Sequence, residues 1–169
     1  MSDNKEKLIA YLKYLNLPIN ASFSADRFRL QKISFLLKSM GIGLDYDFKF
    51  WVYGVYSDEL YKENFANIRD FFDLKSSYEI NEKEKEILDR VKEHLPIDNN
   101  LLEATTTIIY ENLVYSDIYE VVEKVKKRKP HLSEDSIISG LNFAKQMLFK
   151  REYLTNEIKQ EIEVWDSID

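Results

Sequence analysis

Apolar residues in the first half of the chain follow two periods, and one gives way to the other between Met40 and Tyr46. Ile33, Leu36, Leu37 and Met40 recur at i, i+3, i+4 and i+7, the spacing of one buried helix face, and Gly41 supplies the left-handed residue that commonly ends such a helix. From Tyr46 the period is two. Tyr46, Phe48, Phe50 and Val52 point one way and Asp45, Asp47, Lys49, Trp51 and Tyr53 the other, which predicts a half-buried strand. Gly54 breaks that strand. Ser57, followed by Asp58 and Glu59, then places a hydroxyl cap and two carboxylates where the free N–H groups of a new helix need them. The pattern predicts a direct turn from strand into helix at Tyr53-Gly54-Val55-Tyr56-Ser57.

On the N-terminal side, Leu8, Leu12 and Leu15 predict a helix from about Lys5 to Leu15 that ends before Asn16-Leu17-Pro18, and Ser24 is the expected cap of the helix running through Gln31. Beyond the turn, Tyr61, Phe65, Ile68 and Phe72 form an aromatic stripe that reads as core. Tyr78-Glu79-Ile80 is a short candidate strand to pair with the first. Asn81 and Glu84 make an asparagine version of a capping box, opening a helix with Ile87, Leu88, Val91 and Leu95 inward and Pro96 as its stop.

A second lobe begins near Asp98. Leu101, Leu102, Thr105, Ile108, Ile109 and Leu113 cover two adjacent faces, the mark of the most buried helix. Ser116-Asp117 opens a helix carrying Ile118, Val121, Val122 and Val125. Ser133 caps another, with Leu132 stapled on Ile137 and with Leu141, Ala144 and Leu148 also inward. Gly140 inside that helix costs about 1 kcal/mol relative to alanine, so it marks a close helix crossing. A last amphipathic helix starts at about Asn156 with Ile158, Ile162 and Trp165. The expected fold is mainly α with a small β-sheet (α+β), with a winged-helix-like strand and turn. It forms a single domain over 1–169, with an N-terminal lobe of about 1–95 and a helical C-terminal lobe of about 98–169.

Composition agrees with long regular elements: 44% of residues are hydrophobic and 14% aromatic, with only four Gly and three Pro among 169. The absence of cysteine removes disulfides, thiolate nucleophiles and Cys-based metal sites together. No apolar stretch approaches the roughly 20 residues of a membrane span, and Met1–Leu15 lacks a signal-like apolar core, so the reading is a cytoplasmic protein. A net charge of −6 argues against nonspecific coating of nucleic acid, although a local basic patch is compatible with it.

Recognisable catalytic chemistry is sparse. His94 and His131 sit in no nucleophile or metal-ligand motif, and Gly41-Ile42-Gly43 lacks the third glycine and preceding strand of a phosphate-cradling loop. Ser57 reads as a cap rather than a nucleophile. No catalytic residue, metal or cofactor is assigned on this reading.

Three constellations remain. Lys124, Lys126, Lys127, Arg128 and Lys129 cluster where one helix ends. Favourable placement against the helix dipole accounts for one or two of them, at about 0.3–1 kcal/mol each. Phosphate contact by a helix–turn–helix would use all five, with 134–150 as the recognition helix, but Glu134 and Asp135 at its start oppose DNA. Trp51, Tyr53 and Tyr56 lie at the strand end and turn, either covered as core or presented outward as a partner-binding patch. Arg27, Arg29 and Lys32 on the preceding helix read as solvated charges, with pairing of Arg29 or Lys32 to Asp58 or Glu59 at the turn as the alternative.

Two separated stretches, one in each lobe, resemble the SocA-like family, also called Panacea, and in particular its YwgA-type bacterial and archaeal relatives. Arg29-Leu30-Gln31-Lys32 with Phe35-Leu36-Leu37, and Tyr53-Gly54-Val55-Tyr56-Ser57-Asp58-Glu59-Leu60, occupy the family's helix and aromatic turn, with Val55 where proline is usual. In the second lobe, Leu102-Glu103-Ala104-Thr105, Lys127-Arg128-Lys129-Pro130 and Ser133-Glu134-Asp135 follow in the expected order, the first departing because Ala104 directly follows Glu103. The resemblance implies a non-enzymatic protein-binding module, an antitoxin or adaptor that neutralises or delivers a protein partner such as a toxin. Arg29, Lys32, Trp51, Tyr53 and Tyr56 would then lie on its partner surface. The alternatives are a winged-helix-like DNA-binding regulator using Lys124, Lys126, Lys127, Arg128 and Lys129, and, third, an enzyme with an unrecognised carboxylate site.

Overall fold

The computed structural model describes residues 2–65, 73–95, 97–114 and 117–148, with 156 and 160 as isolated positions. Within these the chain is mainly helical with one small antiparallel sheet, an α+β fold. It divides into two compact units, Met1–Asn99 and Asn100–Asp169. Among the described residues, no helix is long and apolar enough to cross a membrane.

The first unit opens with α1 (Asp3–Tyr14), capped by Ser2, whose hydroxyl accepts from the Lys5 N–H. Asn16, at φ 53°, closes it, with the Leu17 N–H reaching back to Leu12 O. α2 (Ser24–Ser39) ends in the same way. Gly41 is left-handed at φ 86°, and the Gly41 and Ile42 N–H groups bond to Lys38 O and Leu37 O, a Schellman closure. Ser24 is the first helical residue rather than the cap; Phe23 holds the cap position without a side-chain bond. Every residue from Leu30 to Leu37 is buried.

From Ile42 to Trp51 burial alternates strictly, as the period of two requires, but hydrogen-bonded strand is confined to β1 (Lys49–Trp51). Its partner is β2 (Gly54–Tyr56), only three residues further on, in the register Lys49 to Tyr56, Phe50 to Val55 and Trp51 to Gly54. The direct strand-to-helix turn read from the pattern is therefore a hairpin. Gly54 at φ 89° follows the two-residue turn Val52-Tyr53, and a left-handed glycine there lets the strands keep their natural twist. Tyr78-Glu79-Ile80 forms no strand; Tyr78 instead turns its hydroxyl to Glu84. After β2, Ser57 Oγ accepts from the Leu60 N–H at 3.3 Å and caps α3 (Asp58–Phe65). α4 (Glu82–Glu93) has the predicted Asn81–Glu84 capping box.

The second unit comprises α5 (Asn99–Asn112), α6 (Ile118–Arg128) and α7 (Glu134–Leu148). Ala104, Ile108, Val121, Val125, Leu132 and Ile137 form its core. Leu113, predicted inward, falls beyond the end of α5 and is 73% exposed. Gly140 does mark a close crossing, since a Cβ there would lie 2.7 Å from Ala104 Cβ and 3.0 Å from the Thr105 nitrogen. Pro96, Ser116, the side chain of Phe65, Ile68, Phe72 and the expected helix with Ile158, Ile162 and Trp165 lie outside the described residues.

Candidate functional site

The hairpin has two unlike faces, set by its register. Phe50 and Val55 pair on the inner one, where Val55 is wholly buried and neighbouring Phe48 packs edge-on to Phe35 of α2 at 5.3 Å. The outer face carries Lys49, Trp51 and Tyr56, and opposite Trp51 stands Gly54, which has no side chain. The indole therefore leans on the diagonal neighbour: its ring centre lies 6.1 Å from that of Tyr56, which lies 6.0 Å from Tyr61 on α3. Trp51 is 57% exposed and Tyr61 44%. Val52 and Tyr53, at the turn, are more exposed still. Lone exposed aromatics are ordinary, but a contiguous row of them is characteristic of a binding surface. The outward alternative for Trp51 and Tyr53 is the one found, with Tyr56 half-buried between its neighbours. Burial, with Asp58 and Tyr61 nearby, raises the Tyr56 hydroxyl pKa, so Tyr56 stays protonated at neutral pH.

Tyr61, which the aromatic stripe places in the core, is instead exposed. α3 turns Leu60 and Asn64 inward, both fully buried, so the buried stripe lies one position away from the one inferred from the aromatics.

Arg29 and Lys32 are not surface anchors. The Lys32 side chain is almost fully buried, its Nζ donating to Tyr53 O at 2.5 Å and Val55 O at 2.8 Å and lying 4.6 Å from the Phe28 ring centre. It thus holds the carbonyls on either side of the left-handed Gly54. Half-buried Arg29 donates to Ile97 O at 2.7 Å, and burial lowers its pKa. Beside Lys32, Gln31 makes a two-point contact with Ser57, its Nε2 donating to Ser57 O at 3.1 Å and its Oε1 accepting from the Ser57 N–H at 2.9 Å. Gln31 and Lys32 of the helix motif and Tyr53, Val55 and Ser57 of the turn motif are two halves of one internal clamp behind the aromatic row.

Sequence reasoning missed Gln31 in this role. Leu30, Ile33, Phe35, Leu36 and Leu37 already cover most of the helix circumference, which leaves Gln31 and Lys32 little solvent-facing arc; that crowding was the available signal.

The basic cluster is largely matched by acids. Lys129 is 1% exposed, with its Nζ 2.8 Å from Glu103, so it is unavailable to a phosphate. Arg128 pairs with the buried carboxylate of Glu111 at 2.5 Å, and Lys126 lies between Glu134 at 3.2 Å and Glu123 at 3.4 Å. Only Lys124 and Lys127 lack an ion pair among the described residues. His131 Nε2 adds a second contact to Glu103 at 3.1 Å. Burial alone would raise the Glu103 pKa; Lys129 and His131 outweigh it and hold the carboxyl below its ordinary value. No protein-family model, curated protein or solved structure matches the chain.

Proposed function

We propose that the chain is a non-enzymatic protein-binding module of the SocA-like kind, an adaptor or antitoxin that engages its partner through the outer face of the Lys49–Tyr56 hairpin and α3. The row Trp51–Tyr56–Tyr61 carries this reading, because a neutral, preformed aromatic surface is the usual anchor of a protein interface. The clamp behind it supports the same conclusion. Gln31 and Lys32 fix the hairpin backbone before any partner arrives, which lowers the ordering cost of association. Trp51, Tyr53, Tyr56 and Tyr61 are the contact residues, and Lys32 and Gln31 position them.

The test is capture of the tagged protein's partner from its host, followed by reconstitution from purified components. Wild type retains the partner and the folded Trp51→Ala/Tyr61→Ala variant loses it. Retention by the folded variant contradicts the proposal.

A further inference from the structure

We propose that the segment seated on this face is cationic, an Arg- or Lys-bearing stretch of the partner protein whose charged groups lie over the aromatic rings; this rests on the protein-binding reading above. Two independent features point to it. Ring faces carry negative quadrupole charge and attract guanidinium and ammonium groups, and Trp51, Tyr56 and Tyr61 provide three such rings in series, tilted by 55° and 44° from one neighbour to the next.

The second feature is the fixed charge around them. Alternation along the extended segment turns Asp45, Asp47, Lys49 and Trp51 to solvent together, and Asp58 and Glu59 are exposed at the start of α3. These segments thus expose four carboxylates against two lysines, Lys49 and Lys62, of which Lys49 lies 4.0 Å from Asp58. Asp45, Asp47 and Glu59 have no ion pair among the described residues. The surroundings are therefore net negative beside an uncharged aromatic row, which complements a positively charged segment and disfavours an acidic one.

Display of random linear peptides, selected on the wild-type protein, tests the proposal. Enriched sequences should contain Arg or Lys. Replacing the Arg of a selected peptide with citrulline, which keeps the shape and removes the charge, should weaken binding by about tenfold or more. Asp45→Asn/Asp47→Asn/Glu59→Gln should weaken it by several-fold, and Trp51→Ala should weaken it whether or not Tyr61 is kept. Enrichment of uncharged peptides, or equal binding of the citrulline form, overturns the cationic assignment. If those uncharged peptides still depend on Trp51, the interface survives without this chemistry. Binding indifferent to Trp51 and Tyr61, or no enrichment at all, overturns both.

Discussion

Gln31 and Ser57, 26 residues apart, satisfy each other's polar groups through two hydrogen bonds in a buried setting, at 2.9 and 3.1 Å. Gln31→Leu preserves bulk but leaves a buried N–H and a buried C=O without that partner. Stability should fall by about 1–3 kcal/mol for each group. Chemical denaturation measures this, and an unchanged midpoint would show that the clamp contributes nothing.

Gly54 sits at φ 89° with Lys32 holding the carbonyls on either side, so the backbone cannot relax to negative φ without breaking those bonds. Gly54→Val should cost more than about 1 kcal/mol, because a β-branched residue tolerates positive φ poorly. The melting temperature reports it, and an unchanged value sinks the explanation.

At Gly140 two effects compete. Alanine is the better helix former by about 1 kcal/mol, yet its Cβ would meet Ala104 Cβ at 2.7 Å and backbone at 3.0 Å. Overpacking of that kind costs about 1–3 kcal/mol, and the close atoms include main chain that cannot swing away. Gly140→Ala should therefore lower the melting temperature; an increase would mean that the two helices separate freely.

The Glu103–Lys129 pair is buried on both sides. Glu103→Gln removes the carboxylate that neutralises the buried ammonium and should cost about 3–5 kcal/mol, whereas Glu103→Leu/Lys129→Met should recover most of that. The pH dependence has a definite sign. The folded pKa of Glu103 lies below its ordinary value of 4.5, so its contribution is complete above that value and is lost as pH falls through the lower folded one. Acid unfolding should be less steep in the double variant, and an identical acid profile would contradict the assignment.

Features governed by local period were legible from residues alone: the Asn81–Glu84 box, the Gly41 closure and the Leu132–Ile137 staple rest on neighbours within a turn or two of helix, and the Gly140 crossing showed itself by a glycine inside a helical pattern, although its partner Ala104 lies on another helix. The hairpin was not, because each strand is three residues long and alternation cannot tell a strand end from a turn followed by a short return strand. Gly54 carried a double meaning, breaking one strand and opening the next. Lys32 misled through its charge, since nothing local reveals that its ammonium reaches the Tyr53 and Val55 carbonyls across the fold. The basic run misled similarly, because its partners Glu103 and Glu111 lie on an earlier helix.

The central claim is that the outer hairpin face, rather than the basic cluster, binds the partner. Calorimetric titration of the purified partner into Trp51→Ala, with Lys124→Gln/Lys127→Gln as the comparison, tests it most directly. The account predicts that Trp51→Ala, its melting temperature nearly unchanged because the ring is 57% exposed, loses about 2 kcal/mol or more of binding, while the lysine variant binds like wild type. Undiminished binding by folded Trp51→Ala, or a loss confined to the lysine variant, would contradict it.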